Sequence, residues 1–222
     1  MTRAQYKAER AARFSDTEIS VRQYNLVIGF VVLSGLLLNI VMAATLMEPI
    51  LSLPMVAIDI IYAVGTIGLY VVIRLSPNPF VSYVAFLGLA CAMGVFVTWY
   101  VAHYNLGTVT AAFIITGIVT LILILISAAF PGFFLSIGRA LFISLITSIV
   151  AGFVLSFVFG LGTTIIDLAV AVIFCGYIGY DWAKAQQCPK TYDNAVDSAA
   201  DLYTDIVFLF LELLSLLGDS DD

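Results

Sequence analysis

The sequence contains few charged residues, and this scarcity limits the classes of protein to which it can belong. Of its 222 residues, 11% are charged and 62% are hydrophobic, whereas soluble domains have about 25% charged and about 45–50% apolar residues. A water-soluble domain is therefore excluded, and the lipid bilayer is the expected surrounding. The nine Lys and Arg residues form no basic patch in a chain of net charge −6, so nucleic-acid binding is not expected.

Cysteine and histidine are also scarce. Cys91, Cys175 and Cys188 stand far apart without a CxxC spacing, and His103 is the only histidine. This composition does not favour a zinc or redox site, so we expect no resident cofactor. Cys91 and Cys175 lie in apolar runs and are expected to pack as small hydrophobic residues.

Long apolar runs separated by helix breakers predict transmembrane helices. A bilayer core about 30 Å thick takes roughly 20 apolar residues per helical crossing. Six runs are long enough, at residues 24–46, 53–75, 80–102, 109–130, 140–160 and 162–180.

A seventh run, at 200–217, is short and contains Asp201, Asp205 and Glu212. These charges are costly in lipid, so the run is expected to be enclosed by the other helices or to be re-entrant. The sequence thus predicts an all-α fold, a polytopic membrane bundle of seven transmembrane helices with the last helix central.

The segments outside these runs set the expected domain organisation and orientation. Residues 1–23 form an N-terminal segment, 24–218 the transmembrane domain and 219–222 an acidic tail. The first run is too long for a signal peptide and lacks a cleavage pattern. A cytoplasmic N-terminus places all nine Lys and Arg residues on the cytoplasmic side, as the positive-inside rule requires. Without an organelle signal, a bacterial plasma membrane is expected.

Acidic residues are absent from the middle of the chain and concentrated at its C-terminal end. None occurs from Leu75 to Ile166, and nine of the fifteen lie from Asp181 onward. On a helix advancing about 100° per residue, Asp201, Asp205 and Glu212 form one narrow acidic stripe. Because no lysine is expected within a span, these carboxylates need partners from one another, from water, from a bound cation or from Arg74.

The acids inside the apolar runs are candidates for an ion pathway: Asp201, Glu212, Asp167 and Asp59. Each also has a simpler explanation, since Asp201 and Glu212 could be hydrated near the membrane faces, Asp167 could cap its helix and Asp59 could face an outer vestibule. Asp181 and Asp205 differ from these, because both fall near the inner ends of adjacent helices joined by one loop. Two carboxyl groups brought together there would share a proton and titrate as a coupled pair.

A family resemblance rests on two segments near the C-terminus. The sixth span ends in residues 176–181 (GYIGYD), and the last run contains residues 201–211 (DLYTDIVFLFL) and 213–218 (LLSLLG). Over about residues 176–218 the chain resembles the transmembrane Bax inhibitor motif family, in its bacterial, Bax inhibitor-1-like form. The family has a basic cluster on its second helix where this chain has Arg74, and Trp182-Ala183-Lys184 replaces the usual residues after the first aspartate.

The resemblance implies seven helices around a central last one, and a calcium leak controlled by an aspartate pair that acts as a pH-sensitive latch. It places this pair, with transient Ca²⁺ binding, on Asp181 and Asp205, and it assigns the basic residue of the latch to Arg74. Lipid and calcium ions are the expected partners, and protein partners are unknown.

The leading interpretation is a pH-sensitive calcium or cation leak channel, because deprotonated carboxylates attract a hard, oxygen-seeking ion and protonation competes with it. A proton-coupled transporter would use the same acids as a relay, although the sequence shows no convincing internal repeat. A membrane scaffold that regulates a partner protein is a further alternative. An enzyme is not expected, since Asp205 follows Tyr203-Thr204 rather than the Gly-x-Gly of intramembrane aspartyl proteases, and no Gly-x-Ser-x-Gly occurs.

Overall fold

The computed structural model describes residues 18–159 and 164–218 and is almost entirely helical in these ranges. The described chain forms eight α-helices: α1 (Val21–Thr45), α2 (Met47–Leu51), α3 (Met55–Leu75), α4 (Pro79–Val101), α5 (Leu106–Ala129), α6 (Pro131–Phe157), α7 (Thr164–Gln187) and α8 (Tyr192–Gly218). Most of the predicted N-terminal segment, and the acidic tail 219–222, lie outside the described residues.

Six of the described helices, α1 and α3–α7, are long and apolar enough to cross a membrane. Their outward surfaces are apolar as well: Leu26, Phe30, Leu33 and Leu37 of α1 are each 59–64% exposed. Water would oppose such exposure by about 25 cal/mol for each Å² of apolar surface, whereas lipid does not. The chain is therefore a multi-pass integral membrane protein, and the prediction of an all-α polytopic bundle is confirmed.

Local capping signals explain where several of the helices begin. Ser20 and Gln23 form a capping box at the start of α1. Asn78 accepts a hydrogen bond from the Phe80 N–H in front of α4, and Asn105 accepts one from the Thr108 N–H in front of α5.

Three boundaries differ from the sequence prediction by about two helical turns. The fifth span begins at Pro131 rather than at residue 140, because proline is tolerated at the first position of a helix. The sixth continues to Gln187 rather than ending at residue 180, because no breaker occurs before Pro189. The last helix begins at Tyr192 rather than at residue 200, so the connection between α7 and α8 is only residues 188–191.

The chain divides into two units. The first consists of the described residues up to His103 together with Ala185–Tyr203. Its interior includes a buried polar contact in which Tyr203 donates to Asn39 Oδ1 at 2.6 Å and Asn39 Nδ2 donates to the Ala90 carbonyl at 2.8 Å. Gly35 lets the rings of Phe86 and Tyr203 approach the backbone of α1. Cys91 is exposed on α4.

The second unit consists of Tyr104–Lys184 and the residues from Thr204 onward, as far as they are described. Close helix packing holds α7 in this unit. The Ser127 hydroxyl of α5 donates to the Gly179 carbonyl at 2.6 Å, and a Cβ atom at Gly179 would collide with the Phe134 ring of α6.

The last helix is buried along most of its length, as the sequence predicted. Residues 193–203 are buried without exception within the first unit, and residues 204–218 are buried or half-buried within the second. Five aspartates of the described chain are buried, and four of them lie on this helix. The fold therefore places these five aspartates away from lipid.

Candidate functional site

In the second unit, α7 and α8 run antiparallel in a register that two contacts define. The rings of Phe174 and Phe208 stack with centroids 5.0 Å apart, and Ser215 donates to Asp167 Oδ2 at 3.1 Å. Both pairs fit one register, in which Tyr177 of α7 is level with Asp205 of α8. Because Asp181 follows Tyr177 by one helical turn, this register places the two aspartates at neighbouring levels.

The side chains of Asp181 and Asp205 lie in similar surroundings within this unit. Their exposed fractions are 8% and 7%, and the Tyr177 hydroxyl interacts electrostatically with both. Side chains on a helix lean towards its N-terminus, so on antiparallel helices the two carboxyl groups lean towards each other's level. Their role as a latch stays a prediction.

Asp181 has a cation on its own helix. Lys184 forms an ion pair with Asp181 from one turn further along α7, and its ammonium lies 5.4 Å from the Tyr180 ring centroid. The sequence predicts a sixth span that ends at residue 180, whereas α7 continues past Asp181 to Gln187 and so carries Lys184 on the same helix. This ion pair offsets part of the cost of burying the carboxylate.

In the first unit, Arg74 joins the end of α3 to α8. Arg74 and Tyr70 both donate hydrogen bonds to Asp201, and Arg74 also donates to the Tyr70 hydroxyl. The Nη1 atom of Arg74 lies 3.5 Å from Oδ2 of Asp197. Since Asp197 and Asp201 are one turn apart on α8, a single guanidinium bridges two carboxylates.

The family resemblance assigns Arg74 to the latch, and within the first unit its guanidinium contacts Asp201 and Asp197. Its role in gating stays a prediction.

Sequence reasoning did not identify three residues of this site: Tyr70, Asp193 and Asp197. Asp193 accepts a hydrogen bond from the Ser82 hydroxyl at 2.8 Å, and both residues are buried. The sequence did contain a usable signal, since aspartates occur at every fourth position at 193, 197, 201 and 205. This spacing predicts one broad acidic face, but only if the helix begins near Tyr192.

The remaining predicted pathway residues lie in different surroundings. Glu212 and Asp167 are both half-buried in the second unit and interact electrostatically with each other. Asp59 is exposed in the second turn of α3. Within the described residues, no group of three or more His, Cys, Asp or Glu side chains could hold a metal ion. Transient Ca²⁺ binding by the aspartate pair stays a prediction.

Comparisons with known proteins assign the chain to a family. The model of the family described as "Inhibitor of apoptosis-promoting Bax1" matches residues 18–222. Protein lifeguard 4 of Mus musculus is 30% identical over 166 residues, which cover 72% of this chain and 68% of that protein. An uncharacterized protein of Helicobacter pylori is 29% identical over 127 residues, 55% of this chain and 53% of that protein.

A BI1-like protein of Arabidopsis thaliana is 40% identical over 91 residues, which cover 39% of this chain and only 34% of that protein. No solved structure gives a significant match. The resemblance first indicated by residues 176–218 therefore extends over nearly the whole chain. This chain belongs to the Bax inhibitor family of membrane proteins.

Proposed function

We propose that the chain is a pH-sensitive cation leak channel that carries Ca²⁺, with Asp181 and Asp205 as its latch. The observation that carries this proposal is the burial of five aspartates, Asp181, Asp193, Asp197, Asp201 and Asp205, each at most 8% exposed. Buried carboxylates in a membrane protein are costly and typically line ion or proton pathways. The proposal involves no catalytic step.

The balance of charge favours a cation as the conducted species. Among the described ion pairs of these aspartates, the cations are Arg74 and Lys184. Residues 181–218 contain six Asp and Glu residues and two Lys residues, so this part of the chain carries an excess of negative charge when the acids are ionised. Oxygen ligands of this kind suit a hard ion such as Ca²⁺, and an acidic lining is typical of cation pathways.

The latch would work through the charges of one aspartate on α7 and one on α8. When Asp181 and Asp205 are protonated, the attraction for an entering cation is weaker, so Ca²⁺ entry should fall as the pH falls. Arg74 and Lys184 would limit the leak at neutral pH by neutralising carboxylates that otherwise attract the ion. Glu212 and Asp167 would attract cations to the opposite end of the pathway.

We further propose a bacterial plasma membrane as the location, with the N-terminus in the cytoplasm. The distribution of Lys and Arg supports this orientation. Under it, Asp181 and Asp193 lie near the cytoplasmic face, and Asp167 and Glu212 lie near the outer face.

The test is Ca²⁺ entry into liposomes that contain the purified full chain and an internal calcium indicator, measured from about pH 5 to pH 8. We expect passive entry that exceeds the entry into empty liposomes, needs no proton gradient and rises with pH. Entry that occurs only under an imposed proton gradient would instead indicate a proton-coupled transporter. No entry at any pH would refute the channel and leave a partner-binding role as the better account.

A further inference from the structure

The first unit contains an apolar groove between the N-terminal ends of three helices. Its volume is about 300 Å³ and its surface presents no polar atoms. The lining includes Val27 and Phe30 of α1, Phe80 and Tyr83 of α4, and Tyr192 and Val196 of α8. Phe30 and Phe80 are 64% and 73% exposed, so the groove is open to the surrounding lipid.

A basic residue, Lys190, neighbours the groove lining in sequence. The Lys190 ammonium is 4.6 Å from the ring centroid of Tyr24, and Tyr24 precedes Val27 by about one turn on the same face of α1. Lys190 also lies two residues before the groove residue Tyr192. The Tyr24 ring that the ammonium contacts is therefore about one helical turn, or about 5 Å along the axis of α1, from the groove residue Val27.

The contacts of Lys190 fix the ammonium in this place. It donates to the carbonyls of Ala185 and Gln186, at 3.1 and 2.7 Å, and an ammonium has three hydrogens to donate. Burial lowers the pKa of Lys190, because desolvation disfavours its charged form. An anionic group beside the ammonium would offset this cost.

We propose that this groove binds one anionic phospholipid, with an acyl chain against Val27, Phe80 and Val196 and its phosphate at Lys190. The groove lies at the end of the helices that the charge distribution places in the cytoplasmic leaflet, where anionic headgroups attract basic residues. Tyr83 and Tyr192 suit this depth, since tyrosine is enriched at the membrane interface. This proposal is independent of whether the chain conducts ions.

The chemistry of the lining favours an acyl chain over an extended peptide as the occupant. A peptide backbone in this groove would leave its N–H and C=O groups without partners, since the lining presents no polar atoms. The charge of Lys190 distinguishes a phospholipid from an uncharged hydrocarbon. Anionic lipid is thus the occupant that satisfies both the apolar lining and Lys190.

The experiment titrates the purified full chain in detergent with phosphatidylglycerol or with phosphatidylcholine of the same acyl chains, and counts bound lipids by native mass spectrometry. Val27→Trp fills the groove, and Leu33→Trp is its matched control on the lipid-facing surface of α1. Lys190→Gln removes the charge, Lys190→Arg retains it, and Arg139→Gln removes an exposed basic residue elsewhere.

We expect one tightly held phosphatidylglycerol per chain, which is lost in Val27→Trp and retained in Leu33→Trp. Lys190→Gln should lower the preference for phosphatidylglycerol over phosphatidylcholine about fivefold, the effect of one lysine near an anionic surface. Lys190→Arg and Arg139→Gln should keep the preference. A photoactivatable phosphatidylglycerol on the unmodified chain should crosslink to groove residues, which tests the proposal even if a variant fails to fold.

Four outcomes would overturn the proposal. Equal binding of the two lipids would remove the role of Lys190, and crosslinks confined to other surfaces would exclude the groove. Unchanged lipid retention in Val27→Trp would also exclude the groove as the lipid site. If Val27→Trp converted a dimer into monomers, the occupant of the groove would be a second copy of the chain.

Discussion

Two basic side chains, Arg74 and Lys184, form three ion pairs with the buried aspartates. Arg74 contacts both Asp197 and Asp201 in the first unit, and Lys184 contacts Asp181 in the second. Removing one partner of a buried ion pair leaves an uncompensated charge, which is costly unless another ion replaces the lost partner. In the proposed leak, the Arg74 and Lys184 side chains thus compete with cations from solution for the buried carboxylates.

This competition predicts the effect of replacing Arg74. Arg74→Ala should raise the basal Ca²⁺ leak at neutral pH at least severalfold, because the unpaired carboxylates attract the ion more strongly. Arg74→Lys should give an intermediate leak, since lysine cannot bridge two carboxylates with a planar fork. Liposome flux at matched protein density measures both, with Arg139→Ala as the control. An unaltered leak at every pH would remove Arg74 from the mechanism.

A second prediction concerns the half-buried acids near the other end of the last two helices. Glu212→Gln or Asp167→Asn should lower Ca²⁺ entry about two- to tenfold, because either change removes charge that concentrates the cation. The effect should weaken at high salt, which screens such attraction. Glu48→Gln is the control, since Glu48 is an exposed carboxylate outside the proposed pathway. Equal entry in all three variants and the unmodified chain would show that these acids do not attract the carried ion.

At the residue scale, the sequence identified the acids better than it identified their partners. Asp181, Asp201 and Asp205 could be selected because a carboxylate in an apolar run is costly. Tyr70 could not be selected, since its contact with Asp201 depends on how α3 and α8 pack. The ion pair of Lys184 with Asp181 was missed because it requires α7 to continue past residue 180.

At the scale of helices, hydropathy predicted existence and order correctly and boundaries less well. Runs of about 20 apolar residues identify spans because lipid requires them. Polar residues at the end of a helix do not raise its hydropathy. The sequence therefore predicts a loop where the structure has the C-terminal end of α7 and the start of α8. Thr191, whose hydroxyl accepts a hydrogen bond from the Asn194 N–H at 3.2 Å, marks the true start of α8.

Close packing of α7 predicts a contrast between two glycines of the second unit. Gly179→Leu should lower the thermal stability of the detergent-solubilised chain by about 1–3 kcal/mol, because the new side chain collides with Phe134. Gly117→Leu on α5 should have little effect, since a Cβ atom there meets nothing within 4 Å. Thermal unfolding of the two variants measures the difference. Equal melting temperatures would contradict the close approach of α7 to α6.

At the scale of the whole molecule, the one-sided distribution of basic residues predicts the orientation in the membrane. In a variant without native cysteines, Asn105→Cys should react with an impermeant maleimide added to intact cells. Gln187→Cys, at an exposed position near the end of α7, should react only after permeabilisation. Labelling of position 187 from outside would reverse the orientation, and with it the assignment of the lipid groove to the cytoplasmic leaflet.

The central claim is that Asp181 and Asp205 titrate together and that their ionisation controls the leak. The measurement that tests it most directly is the pH profile of Ca²⁺ entry from about pH 5 to pH 8 for the unmodified chain, Asp181→Asn and Asp205→Asn, with Glu48→Gln as the control. We predict that entry rises with pH in the unmodified chain and in the control, and that either Asn variant flattens the profile, because a coupled pair loses its second titration when one member is removed. Two separately hydrated aspartates would titrate at about pH 4 and leave Ca²⁺ entry constant between about pH 5 and pH 8. Identical profiles for the unmodified chain and both Asn variants would contradict the claim.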